Sequence, residues 1–315
     1  MSPLISPAEL AELITGPGPA RPVVLDVRWR LGGPPGLADY RFGHLPGAVF
    51  VDLDTVLAAP PGPAGRHPLP DPARLAEALG SLGVAEGAVG AAGSVGAVPS
   101  LVVCYDDLDG SVAARAWWLL RWLGLPADRV RVLDGGYAAW VADGLPLSTE
   151  PVDPVPAVLT PRPGSMPVLD ADGAADVARR GVLLDARAPA RYRGETEPVD
   201  PRAGHVPGAR NAPFSAHLGA DGRWRAANEL AEHYRGLGVG AGRPVGAYCG
   251  SGVTATSVVL AMEYAGLGAP ALYAGSWSNW SADPARPVAL GAEPGGGAEP
   301  GGGAEPGAGG EPDPS

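Results

Sequence analysis

One of the chain's two cysteines stands between an apolar run and a glycine pair, in Tyr248-Cys249-Gly250-Ser251-Gly252-Val253-Thr254-Ala255. Residues 244–248 lead into the cysteine, and a helical pattern follows the second glycine. That order reads as strand, tight loop and helix. Unpaired backbone N–H groups at a helix start, with the positive end of its dipole, favour a thiolate there and stabilise an anion beside it. Small residues let a ligand approach the backbone closely, so Gly250, Gly252, Val253 and Thr254 are the expected binding loop around a nucleophilic Cys249. Cys104 is different: it lies inside an apolar strand pattern, 101–105, and reads as a buried, inert thiol.

The elements that position Cys249 occur twice. In the first copy, Ser6-Pro7-Ala8-Glu9 opens a short helix, with an N-cap hydroxyl, a proline at the first helical position and an acid at the third. A buried strand is expected at 23–28, a Gly-His-Leu-Pro-Gly-Ala loop at 43–48, and a further apolar run at 49–54. A Pro/Gly-rich loop at 60–72 carries Arg66 and His67. Helical spacing then covers 73–82, an insertion of Gly, Ala, Val and Ser covers 88–99, and strand 101–105 leads through a loop to an apolar helix at 112–123. After a proline-rich linker, 149–167, Leu184-Asp185-Ala186-Arg187 repeats Leu25-Asp26-Val27-Arg28, and 204–209 repeats 43–48. Tyr248-Cys249 falls opposite Tyr105-Asp106, and 272–280 mirrors 133–140. Matched blocks in one order mark an internal duplication. Strands alternating with helices predict two α/β domains with parallel sheets, 1–148 and 168–290, and ligands at the carboxyl ends of the strands. The tail, 291–315, repeats Gly-Ala-Glu-Pro and is expected to be disordered.

The duplication separates roles. Only the second copy holds a thiol at the loop, since the first has Asp106 there. Arg28 and Arg187, like His44 and His205, occur in both copies, so a structural role is expected for each. Packing is likewise expected of Trp117, Trp118, Trp122, Trp277 and Trp280.

With 45% hydrophobic and 18% charged residues, the 315-residue chain is long enough for two ordinary cores. A net charge of −11 argues against nucleic acid or an anionic membrane as partner. Two cysteines, no basic, apolar leader and no long apolar run predict a cytoplasmic protein. No metal-ligand spacing or phosphate- or dinucleotide-binding glycine motif is present, so neither metal nor cofactor is expected.

The loop Cys249-Gly250-Ser251-Gly252-Val253-Thr254-Ala255 resembles the active-site loop of the tandem rhodanese-domain 3-mercaptopyruvate sulfurtransferases, and the resemblance runs from about Ser6 to Leu290. It implies sulfur transfer through a Cys249 persulfide, from a small-molecule donor to cyanide, a thiol or a thioredoxin-like protein. The family groups the loop serine with a histidine and an aspartate from the first domain, here Ser251, His67 and Asp54, with Ser251 carrying a proton beside the nucleophile. A family arginine before an aromatic residue matches Arg191-Tyr192 and implies a seat for the donor's carboxylate. Arg202 is the nearest match to a second. Relatives that use thiosulfate usually carry basic residues in the loop; this chain has none, which favours 3-mercaptopyruvate. Thiosulfate:cyanide transfer is the alternative, and a non-catalytic rhodanese-like binding module the next. A cysteine phosphatase needs arginine six residues after its cysteine, where this chain has Ala255.

Overall fold

The computed structural model describes residues 1–16, 21–86 and 101–292. The expected insertion at 88–99 and nearly all of the tail lie outside them. Ser6 caps the first helix as its sequence predicts: its Oγ accepts from the Glu9 N–H at 3.2 Å, and the Glu9 carboxylate accepts the Ser6 N–H at 3.0 Å.

Strands and α-helices alternate along the described residues. The first half runs β1 (Leu4–Ile5), α1 (Pro7–Thr15), β2 (Val23–Asp26), α2 (Leu37–Phe42), β3 (Ala48–Phe50), α3 (Pro72–Ser81), β4 (Val102–Tyr105), α4 (Ser111–Trp122), β5 (Val130–Leu133) and α5 (Gly136–Ala142). The second repeats it as β6 (Val168–Leu169), α6 (Ala171–Arg180), β7 (Val182–Asp185), α7 (Pro189–Tyr192), β8 (Arg210–Asn211), α8 (Ala227–Gly236), β9 (Val245–Tyr248), α9 (Ala255–Tyr264), β10 (Ala271–Tyr273) and α10 (Ser276–Ala282). The strand orders are β1-β5-β4-β2-β3 and β6-β10-β9-β7-β8, the same order in each copy. All pairings in both sheets are parallel. The run at 49–54 is divided between two elements. β3 ends at Phe50, and Asp52 accepts the Thr55 N–H at 2.9 Å, turning 53–57 into one π-helical turn.

The two halves share a core. Helices α4 and α9 pack on each other, and Trp117, Trp118, Leu120, Val258, Val259 and Met262 belong to one buried cluster. Each large side chain so buried contributes roughly 1.5–3 kcal/mol. The linker lies along the first half, the Ala157 N–H donating to the Gly80 carbonyl and Arg162 to Leu123, both at 2.8 Å. Among the described residues, no helix is long and apolar enough to cross a membrane.

Candidate active site

Cys249 immediately follows the central strand β9, at its carboxyl end, with 2% of its surface exposed. The chain must turn sharply to begin α9, and Gly252 does so at φ 80. A Cβ there would lie 2.3 Å from the Ala274 carbonyl oxygen, so only glycine fits. In that turn the Gly252 N–H donates to Cys249 Sγ at 3.2 Å. The Cys249 N–H donates to Ser276 Oγ at 3.1 Å, and Ser276 passes its own hydrogen to the Tyr273 carbonyl. Ser276 pays a conformational penalty for this, being the one non-glycine residue at positive φ among those described. Its counterpart in the first half, Gly136, has nearly the same φ, 55 against 53.

Ser251, His67 and Asp54 meet across the two halves. Ser251 Oγ lies 2.8 Å from His67 Nδ1, and His67 Nε2 lies 3.5 Å from Asp54 Oδ1. The carboxylate assigns the ring's hydrogen to Nε2, leaving Nδ1 to accept from Ser251. Burial pushes the His67 pKa down to about 4, with Arg115 and Arg66 adding to the effect against the pull of Asp54. The ring is therefore neutral, and a base, at neutral pH. The loop bearing it is stitched to the second half: the Arg66 N–H donates to Ser278 Oγ at 3.0 Å, and Asn279 Nδ2 to the Pro63 carbonyl at 2.7 Å.

A cavity of about 280 Å³ opens in front of the thiol, walled by Arg66, Arg191, Arg187, Phe214, Val112 and the loop residues Gly250, Ser251, Val253 and Thr254. Arg191, on the short helix α7, enters it with its Nη2 donating to Glu197 at 2.6 Å and Asp200 at 3.1 Å. Of the expected residues, Cys249, Ser251 and Arg191 line this cavity, and His67 and Asp54 stand behind Ser251, beside a neighbouring pocket.

Both halves match the family model of the rhodanese-like domain, over residues 6–143 and 170–283. The chain belongs to the rhodanese family. It is 47% identical over 277 residues to a Pseudomonas aeruginosa protein named "Probable 3-mercaptopyruvate sulfurtransferase", spanning 85% of this chain and 92% of that one. A Mycobacterium tuberculosis protein, provisionally named thiosulfate sulfurtransferase SseB, is 42% identical over 299 residues, 91% of this chain and 97% of that one. The crystal structure of SseA from Escherichia coli, described among 3-mercaptopyruvate sulfotransferases, superposes with a TM-score of 0.74 at 30% identity. It covers 88% of this chain and 100% of that one.

The two rhodanese-like halves differ where the thiol sits. Asp106 follows β4 as Cys249 follows β9, and its carboxylate accepts four N–H groups, from Leu108, Gly110, Val112 and Ala113, each at 3.0 Å. The last two open α4, so Asp106 caps that helix across the loop. Burial still raises its pKa to about 6. The shared residues are structural. Arg28 clamps Asp26 and the Gly43 carbonyl, as Arg187 clamps Asp185 and the Gly204 carbonyl. His44 and His205 stack on Tyr40 and Tyr192 and reach those tyrosines' carbonyls through Nδ1. Cys104 is buried in β4, which pushes its thiol pKa up. Trp117, Trp118, Trp277 and Trp280 are fully packed.

Arg202 is a correction. Its guanidinium donates to the carbonyls of Ser281, Arg286, Trp280 and Asp283, clamping the end of α10 away from the cavity. Three other residues take part that sequence reasoning passed over. Trp29 donates Nε1 to Asp54 Oδ2 at 2.9 Å and meets the His67 ring edge-on at 5.3 Å. It differs from its counterpart Ala188, a copy difference as visible as Asp106 against Cys249. Arg115 is the buried charge of α4, set among its apolar residues. Fully buried, it donates to carbonyls of Leu57, His67, Pro68 and Gly252, joining the histidine loop to the cysteine loop. Burial lowers its pKa to about 10, opposed by attraction to Cys249, and it stays a cation at neutral pH. Arg66, next to His67, is the third.

Proposed function

We propose that the chain moves sulfane sulfur from 3-mercaptopyruvate to a thiophilic acceptor, cyanide or a thiol such as that of a thioredoxin-like protein, through a persulfide on Cys249. The observation that carries this reading is the Ser251–His67–Asp54 chain, whose first member, Ser251, lines the cavity in front of Cys249. The Cys249 thiolate attacks the donor's sulfur; an S–S bond forms, the C–S bond breaks, and its electron pair remains on carbon as the enolate of pyruvate. The hydrogen leaving the donor's sulfur is the one that carbon needs. Ser251, bonded to a neutral His67, passes it on without either group holding a lasting charge. The outer sulfur of the persulfide is anionic, and the loop amides and the Arg115 charge favour it. Acceptor attack on that sulfur restores the thiolate.

Two observations favour thiosulfate as a second donor: the name of the 42% identical relative, and two guanidiniums, Arg66 and Arg191, at a loop that has no basic residue of its own. A cytoplasmic setting accords with both cysteines being free. The deciding experiment compares kcat/KM for 3-mercaptopyruvate and thiosulfate, with cyanide as common acceptor. Mercaptopyruvate should be preferred, and Cys249→Ser should abolish turnover and the mass gain of one sulfur atom while leaving the fold intact. Turnover by the serine variant would refute the persulfide route.

A further inference from the structure

Arg66 comes from the first half and Arg191 from the second, and each has committed part of its guanidinium. Arg66 Nη1 donates to Asp200 Oδ1 at 2.7 Å. Arg191 uses Nε and Nη2 on Glu197, and Nη2 also on Asp200. The nitrogens outside these bonds, Arg66 Nη2 and Arg191 Nη1, converge on one spot. A Cβ built on Gly250 would lie 3.1 Å from the first and 3.5 Å from the second. Arg66 Nε is also buried without a partner among the described residues. Gly250 itself is the residue next to the nucleophile and lines the cavity.

The charges of the ion pairs around this spot balance. Arg66, Arg191 and Arg187 face Asp200, Glu197 and Asp185 in one chain of ion pairs, from Arg66–Asp200 at 2.7 Å to Arg187–Asp185 at 2.6 Å. Glu197 also accepts the N–H groups of Val199 and Asp200 at 3.1 Å, which sets Asp200 between the two arginines.

We propose that Arg66 and Arg191 together form the seat for the donor's carboxylate over Gly250, and that Asp200, their shared counterion, sets the preference for a singly charged α-keto acid over a dianion. The inference rests on the sulfurtransferase reading and names the groups that choose its donor. A carboxylate accepting from two fixed guanidinium nitrogens gains charge-assisted bonds. A balanced cluster accepts one negative charge at lower cost than two, because each excess charge in a half-buried site is poorly solvated.

The test uses the full-length Cys249→Ser chain, which binds but does not turn over, and pyruvate as the carboxylate probe, followed by calorimetry. Arg66→Gln and Arg191→Gln should each weaken pyruvate by about tenfold, the worth of one charge-assisted contact. Asp200→Asn should tighten it, a gain that misfolding does not produce. In the otherwise intact enzyme, Asp200→Asn should raise kcat/KM for thiosulfate relative to mercaptopyruvate by about tenfold. Pyruvate binding indifferent to Arg66, no measurable binding at all, or an unchanged donor ratio in Asp200→Asn would overturn the proposal. Failure of the sulfurtransferase reading shows itself separately, as absence of turnover with both donors in the unaltered chain.

Discussion

His67 shows how burial sets a residue's chemistry. A histidine free in solution takes its proton near 6.5, but this one does so only near 4. Between those values the unfolded chain binds the extra proton, so the stability held above pH 6.5 is lost as pH falls toward 4. His217, buried against Trp224 and lowered to about 3, acts in the same direction. Asp106 opposes them, since the folded carboxyl takes its proton first, between about 6 and 3.8. The thermal midpoint should therefore fall as pH drops from about 7 to about 4, and less steeply in His67→Gln. Equal slopes in the two proteins would contradict a neutral His67. The same variant should lower kcat more than it alters KM.

At this scale the sequence is legible where one residue type is required and the repeat supplies a comparison. Cys249 is read against Asp106, and Arg187 and His205 are set aside because Arg28 and His44 duplicate them. Arg202 misleads because a guanidinium reaches several ångströms, and its position along the chain does not say which carbonyls it meets. Arg66 and Trp29 act through such reach too, so only the folded geometry joins them to Asp200 and Asp54.

At the scale of elements, α4 does more than bury apolar surface. Its Arg115 donates to backbone carbonyls and ties Leu57, His67 and Gly252 to one rigid helix. Arg115→Leu should leave those acceptors unpaired and cost on the order of 3 kcal/mol, read by urea unfolding. It should also lower turnover, because both loops lose their common anchor. A variant as stable and as active as the parent would show that the guanidinium is incidental. A charge set among the apolar residues of a helix is a signal readable from sequence, but it does not by itself separate Arg115 from Arg121. The π-helical turn at 53–57 is not so readable, since its apolar residues suit a strand equally and the Asp52 side chain decides between them.

At the scale of the molecule, the duplication and the parallel sheets follow from matched blocks in one order, but the seam between copies does not. It depends on α4 meeting α9, with Arg121 bonded to Glu263 at 2.7 Å over the shared core. The apolar interface, rather than the connecting peptide, holds the halves together. A chain cut at an engineered protease site near the exposed Val155 should still elute as one particle and retain its turnover. Separation into two pieces, or loss of activity on cutting, would assign that work to the linker.

Asp106 gives the first copy a different fate from that of an enzyme missing one atom. Its carboxylate already holds two helix-opening amides and two loop amides, and releasing them would uncap α4. Placing cysteine at this position would thus remove a keystone without creating a second catalyst, because no counterpart of Arg191 waits there: Tyr40 matches Tyr192, so the place of Arg191 is held by Asp39, itself tied to Arg30. The first copy serves as architecture, and a thiol in place of Asp106 would unsettle the helix that the other copy leans on.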